Sequence, residues 1–507
     1  MTALTLLALF SCTDAQVAKV GADSDAQTDS APPGETDTPR SLSVDGVFEH
    51  LDALAAIAEK HDGTRAAGTD GYAASVAYVV ERLEAAGYTV TIDPFTFPLF
   101  YEEAEPSLSA GDASFRYEDD FATMTYSAPG EVTAAATAID VVIPPGEANS
   151  STSGCQADDF ASFPKGNIAL IQRGGCTFGE KAQNAQDAGA VGVIVFNEGQ
   201  SGRQGVVEGT LGDAFDLTLP VLGASFSVGQ QLIAATAPVT MAVRSVREQV
   251  ETQNVLAEAA GSGEGVLVVG GHLDSVWAGA GLNDNASGSA AVLELAEEIA
   301  RVGPELVHPV RFAFWGAEEL GLLGSTHYVS SLDDDERDEI LANLNFDMIA
   351  SPNFVRFVYD GDGSSAGGAG PAGSAELEEL LSAWFSERDL DMEETPFDGR
   401  SDYGPFIAVD IPAGGLFSGA EQQKSNLEAE MYGGTPGEPY DACYHRDCDD
   451  RSNVNDEAMV EMSSAIFDVT LQVAQTEDAL QRMAARQRGD LHKVLRTYPR
   501  RGKHFQR

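Results

Sequence analysis

The sequence predicts an α/β protein: a mostly parallel, mixed sheet covered by helices on both faces, with a strand-rich module inserted into it. Three observations carry this. Beyond Gln253, strand-length apolar runs alternate with helix-length segments, the pattern of a parallel sheet buried on both sides. Between 130 and 247 the pattern changes to short strands around a single helix. A chain of 507 residues also exceeds what one ordinary core holds, so several domains are expected.

In chain order, residues 1–12 are a short apolar run ending in Ser11-Cys12. The run is far below the roughly 20 residues that span a bilayer, and it reads as an export signal. Leu9-Phe10-Ser11-Cys12 looks like a bacterial lipobox, which makes Cys12 the candidate lipidation site. Residues 13–42 are rich in Asp, Thr, Ser, Ala and Pro and read as a flexible acidic tether. Residues 43–129 begin the main domain. Phe48, Leu51, Leu54 and Ile57 lie on one helical face, and a second helix covers 73–86 before a strand at 88–93. A turn-rich loop, 63–71, separates the two helices.

The insert, 130–247, holds strands at 139–143, 167–172 and 191–196 and a helix over 178–188. It has no cluster of histidines with carboxylates, so it reads as a scaffold or binding module. The span 248–481 resumes the α/β alternation. Strands are expected at 266–271, 309–315 and 344–349, and helices at 286–302, 334–341 and 454–484. The tail, 482–507, holds nine Lys or Arg against one acidic residue and reads as a basic extension.

Composition narrows the function. A formal net charge of −50 speaks against nucleic acid as a partner. Setting Cys12 aside leaves two pairs of near neighbours, Cys155/Cys176 and Cys443/Cys448. Two disulfides fit an oxidising compartment, extracellular or periplasmic, with a possible membrane anchor at Cys12.

The chemistry sits where strands end. His272 follows the 266–271 run, Glu318 and Glu319 follow 309–315, and Asp347 lies in Asn345-Phe346-Asp347-Met348-Ile349. Asp284 lies in the loop that opens the 286–302 helix, whose free first-turn N–H groups are expected to orient it. His445 stands between Cys443 and Cys448. In a parallel sheet such positions gather in one crevice. Two imidazoles and three carboxylates form a mixed N/O set suited to zinc. A buried carboxylate cluster is costly without a cation. Glu318 adjoins a ligand and is free to act as a base. Asp274 is placed to accept the other N–H of the His272 ring.

Together the motifs His-Leu-Asp-Ser, Gly-Leu-Asn-Asp-Asn-Ala-Ser-Gly, Gly-Ala-Glu-Glu-Leu-Gly, Asn-Phe-Asp-Met-Ile, Gly-Arg-Ser-Asp-Tyr-Gly-Pro-Phe and Cys-Tyr-His-Arg-Asp-Cys-Asp resemble the co-catalytic zinc aminopeptidases. That family includes secreted bacterial leucyl-type aminopeptidases and the yeast vacuolar aminopeptidase. The insert resembles a protease-associated domain. The resemblance covers about 45–478 and implies two zinc ions per chain. One takes His272 and Asp347, the other Glu319 and His445, with Asp284 bridging. Glu318 becomes the general base and Tyr444 the partner of the developing oxyanion. Arg400 lines the substrate site, and Met348, Phe417 and Tyr432 are candidates for an apolar pocket. The substrate is a peptide or protein N-terminus, with an apolar residue preferred. One departure concerns Tyr403, where many relatives carry His. A carboxypeptidase or a single-zinc glutaminyl cyclase on a related core are the alternatives. The oligomeric state is left open.

Overall fold

The computed structural model describes residues 42–212, 216–365 and 367–477. The expected export segment, Cys12, nearly all of the tether, the basic tail and residues 478–484 of the expected last helix lie outside these residues. No helix among the described residues is long and apolar enough to cross a membrane.

The main sheet has ten strands. Its centre is four parallel strands in the order Ala413–Phe417, Ile340–Phe346, Val266–His272 and Val310–Trp315. Their apolar runs alternate between two cores, as the strand period of two requires. Leu267, Val269, Phe312 and Phe314 face one core, while Val268, Ala313 and Trp315 face the other. The first core is covered by Val44–Lys60, Asp70–Ala85, Ser287–Val302, Ser374–Ser386 and Asp456–Gln475, and the second by Leu323–Ser331 and Tyr403–Ile407. The sheet is thus mixed, parallel at its centre and clad on both faces, as the sequence predicts.

Helix starts follow capping chemistry. Ser43 accepts the Gly46 N–H at 3.1 Å, and Thr69 accepts that of Tyr72 at 3.2 Å. Gly303, at φ 61°, closes Ser287–Val302.

The helix expected over 454–484 runs Asp456–Gln475, ended by the extended Thr476, and local expectations shift in three further places. The helix expected over 334–341 ends at Glu339. Its residues are all charged, and the apolar Ile340 already opens the strand Ile340–Phe346. That strand in turn ends before Asp347 rather than at Ile349, because Met348 takes φ 53° and leaves the extended region. The largest miss is an antiparallel ribbon, Val90–Ala110 against Val239–Ala259, of which the sequence shows only the first few residues. Pro94, Pro98 and the acidic pair Glu102-Glu103 hide its alternation.

The ribbon leads into a second sheet of five strands, ordered Phe121–Thr123, Val221–Ala224, Gly192–Phe196, Ile168–Gln172 and Ala136–Ile139, the last four parallel. Phe121–Thr123 lies ahead of residue 130, and Gly130–Ala134 pairs with the ribbon. Helices Phe178–Asp187 and Phe226–Ala234 pack on opposite faces. Disulfides join Cys155 to Cys176 and Cys443 to Cys448.

Candidate metal centre

His272 is the last residue of its strand, and Asp347 directly follows Phe346 on the neighbouring one. The two strands approach closely: a Cβ on Gly271 would lie 2.4 Å from the Phe346 carbonyl oxygen. After Trp315 the chain turns at Ala317, φ 57°, and presents Glu318 and Glu319. Asp284 sits in the kinked segment Leu282–Ala286, ahead of the helix Ser287–Val302. His445, at φ 57°, lies in the loop closed by Cys443 and Cys448. Five separate segments therefore deliver the five expected ligands to one place.

Asp284 is the hub. Its Oδ1 lies 3.2 Å from His272 Nε2 and its Oδ2 lies 3.3 Å from His445 Nε2. His272 Nε2 is also 3.2 Å from Asp347 Oδ1 and 4.0 Å from Glu318 Oε2. His445 Nε2 is 3.0 Å from Glu319 Oε2. Both imidazoles thus aim at carboxylate oxygens, and one carboxylate is shared.

The electrostatics show a site that wants positive charge. Burial alone disfavours a charged imidazole, yet hydrogen bonds to Asp284 and Glu319 raise His445 from 6.5 to about 10. His272 is raised well above its usual value against the same burial, chiefly by the Asp347 and Glu318 carboxylates. Burial also pushes Glu319 up to about 8 and lifts Glu318 well above the carboxylate range. Asp284 moves the other way: burial opposes ionisation, but the two imidazoles hold it below the usual carboxylate range. Glu319 Oε1 is buried with no hydrogen-bond partner. Protons taken up by these groups supply charge that a divalent cation between them would supply instead. The donors present, two imidazole nitrogens and three carboxylates, fit zinc.

A surrounding layer holds the expected ligands. Ser401 Oγ donates to Asp347 Oδ2 at 2.6 Å and accepts from Asn345 Nδ2 at 2.7 Å. The buried Asp449 accepts the backbone N–H groups of Asn283 (2.9 Å) and Asp284 (3.0 Å). This carboxylate, not the first turn of the following helix, anchors Asp284. Asn285 Oδ1 instead accepts Gly288 N–H at 2.9 Å and Met348 N–H at 3.1 Å. Asp274 Oδ1 accepts the Glu318 N–H at 3.1 Å and lies 3.6 Å from His272 Nδ1, whose nearer neighbour is the Asp274 carbonyl oxygen at 3.2 Å. Asp402, fully buried, is raised to about 7 by that burial, an effect that the Ser325 hydroxyl partly offsets.

One side of the centre is open. The His445 side chain is 43% exposed, against 1% for His272. The Tyr444 ring stacks on the His445 ring at 3.8 Å between centroids, and its hydroxyl accepts from Arg400 Nη2 at 3.1 Å. Arg400 Nη1 is bound to Glu421 at 2.9 Å. Glu319, Leu320 and Arg400 reach a cleft of about 2390 Å³ whose other wall is formed by the insert, including Arg173, Cys176 and Phe178. Met348, Phe417 and Tyr432 do not line this cleft. Met348 is buried behind the site, Phe417 stacks on Phe357, and Tyr432 packs against Arg356 and Lys424.

Comparison with known proteins shows what the chain is similar to. The model for peptidase family M28 matches residues 254–470, and the PA domain model matches 137–232. An aminopeptidase of Pseudomonas aeruginosa is 47% identical over 440 residues, covering 85% of this chain and 81% of that protein. A probable lipoprotein aminopeptidase of Mycobacterium tuberculosis is 40% identical, covering 82% of each chain. Leucine aminopeptidase 2 of Trichophyton tonsurans is 38% identical, covering 85% of this chain and 84% of its own. Among solved structures, the aminopeptidase from Aneurinibacillus sp. strain AM-1 superposes with a TM-score of 0.63 at 25% identity, covering 86% of this chain and 95% of that one.

Proposed function

The chain belongs to peptidase family M28 and is an aminopeptidase, and from that premise we propose that it removes apolar N-terminal residues from peptides at a centre of two zinc ions. The observation that carries this reading is Asp284, with one oxygen toward each imidazole. His272 and Asp347 would hold one ion, His445 and Glu319 the other, and Asp284 both. Such a pair would supply Lewis acidity, to polarise the scissile carbonyl and to lower the pKa of a water.

The protein's own groups do the rest. Glu318 adjoins the ligands without being needed as one, and burial raises its proton affinity. It takes the proton of the attacking water and returns it to the leaving amine. The Tyr444 hydroxyl, kept protonated by burial, donates to the developing oxyanion. Glu318 and Asp347 also hold the substrate's α-ammonium group. A charge clamp for a terminal carboxylate, as a carboxypeptidase needs, finds no free cation in Arg400, because Glu421 already pairs with it. The apolar preference draws support from the relative named leucine aminopeptidase and from Leu320 in the cleft.

We place the enzyme outside the cytoplasm, in keeping with its two disulfides and the relative named as a lipoprotein. Lipid attachment at Cys12 is checked by mass spectrometry of the mature N-terminus.

The experiment offers leucyl-p-nitroanilide, its N-acetylated copy and a carboxyl-blocked peptide. Fast cleavage of the first and third with none of the second is expected. Equal turnover of the acetylated substrate would overturn the aminopeptidase assignment. A bound-zinc ratio of one per chain would overturn the two-ion centre.

A further inference from the structure

Arg65 lies in the turn between the first two helices, ahead of the span matched by the peptidase family model. It is among the largest fully buried side chains of the protein. A buried guanidinium ordinarily takes a carboxylate partner. Among the described residues Arg65 has none, and all its side-chain bonds go to backbone carbonyls. Nη1 donates to Leu273, Nε to Ala280 at 2.9 Å and Nη2 to Gly281 at 2.8 Å. Its own N–H donates to Ser275 Oγ at 3.0 Å, and Ser275 Oγ turns to Gly279 O at 3.0 Å. Thr64 Oγ1 adds a bond to Val276 O at 3.1 Å.

These acceptors are the two ends of one loop. Leu273 immediately follows His272, and Gly281 lies three residues before Asp284. The rigid fork of a guanidinium suits such a grip, because its N–H groups point in fixed directions. The local backbone is built to allow it: a Cβ on Gly71 would sit 2.1 Å from the Thr64 carbonyl oxygen, and Gly281 takes φ 62°. The charge also has a purpose. Burial lowers Arg65 to about 10, so it remains a cation, and Asp274, Asp449, Asp284 and Glu319 are the carboxylates that favour its charge.

We propose that Arg65 is a positioning residue for the metal centre: it fixes the 273–283 loop so that His272 and Asp284 stand in ligating geometry before any metal arrives, and its unpaired charge offsets part of the repulsion among the surrounding carboxylates. This rests on the two-ion reading for its purpose, but the preformed loop can be tested without metal.

The test uses the full-length enzyme and its Arg65→Lys and Arg65→Met variants. Lysine keeps the charge and loses the fork, while methionine loses both. Hydrogen exchange is measured after EDTA treatment, and zinc affinity by competition with a chromogenic chelator. In the wild type, amides of 273–284 should stay protected without metal to within about threefold of the zinc-loaded protein. Both variants should lose that protection at least tenfold, bind zinc at least tenfold more weakly, and regain kcat/KM at least tenfold when zinc is raised, Lys more than Met. A wild-type loop that exchanges freely until zinc is added would overturn the proposal, with no need for either variant to fold. So would folded variants whose zinc affinity stays within twofold of wild type, or whose activity zinc does not restore. A wild type that binds no zinc would sink the two-ion reading, while the metal-free exchange still reports on Arg65.

Discussion

The peptidase core and the insert are both mixed sheets, parallel over four strands and with helices on two faces, yet only one of them gathers chemistry at its strand ends. In the core, Val266–His272, Val310–Trp315 and Ile340–Phe346 deliver His272, Glu318, Glu319 and Asp347 to one crevice. In the insert, Ile168–Gln172 ends in Gln172 and Gly192–Phe196 is followed by Asn197, whose side chains bond backbone groups, and by Glu198, which is paired with Arg203 at 2.9 Å. Among the described residues, no group of potential metal ligands falls in the insert. The layer architecture supplies a place for a site, and the residue types at strand ends decide whether one exists. The insert contributes a wall of the cleft.

That contrast can be broken from either side. The largest effect is expected at Glu318→Gln in the core, which should cut kcat about 10³-fold while zinc content, read by metal analysis, stays at the wild-type ratio. Wild-type turnover in this variant would remove Glu318 as the base. Tyr444→Phe should lower kcat about 10²-fold with little change in KM. An effect confined to KM would make Tyr444 a binding group instead.

In the insert, Ile194→Val trims a fully buried side chain. It should cost about 1 kcal/mol of stability in denaturant unfolding. Turnover of leucyl-p-nitroanilide should not move. A change in kcat would show that the insert shapes the chemistry, and would collapse the contrast between the two sheets.

The smallest effect is a pH slope. Burial lowers Lys181, whose ammonium donates to the Ser153 carbonyl, from 10.5 to about 8. Below about 8 the lysine is charged in both folded and unfolded chains, and the desolvation cost is present in full. Between about 8 and 10.5 the unfolded chain binds more protons, so stability rises with pH. Thermal midpoints measured across that window should climb in the wild type relative to Lys181→Met. Parallel curves would contradict the burial argument.

What the sequence disclosed follows from the same physics. His272, Glu318, Glu319 and Asp347 were legible because each follows an apolar run long enough to be a buried strand. The pairing of the cysteines was legible from their nearness in sequence. The roles of Asp449, Ser401 and Asp402 were not, since each lies in a polar loop stretch with no apolar run before it to mark where its side chain goes. Asp449 and Ser401 find their partners many positions away: Asp449 meets Asn283 and Asp284, and Ser401 meets Asp347. Arg65 read as part of an ordinary turn for that reason. The packing of Met348, Phe417 and Tyr432 was not legible, because an apolar side chain beside a candidate ligand carries no mark of which way it faces. The ribbon was hidden by prolines that a strand with one neighbour over most of its length tolerates.

The ribbon has a bearing on how such a protein could have been assembled. Its two strands run antiparallel from Val90 opposite Ala257 to Ala110 opposite Val239, with the register unbroken as far as Glu102 and shifting beyond it. The chain therefore leaves the main sheet and re-enters it side by side. A hairpin turn grafted across Glu102 and Ser245, which face each other, would restore a continuous sheet. A module joined at such a seam can be gained, exchanged or lost in one step, without redirecting any strand that carries a candidate ligand.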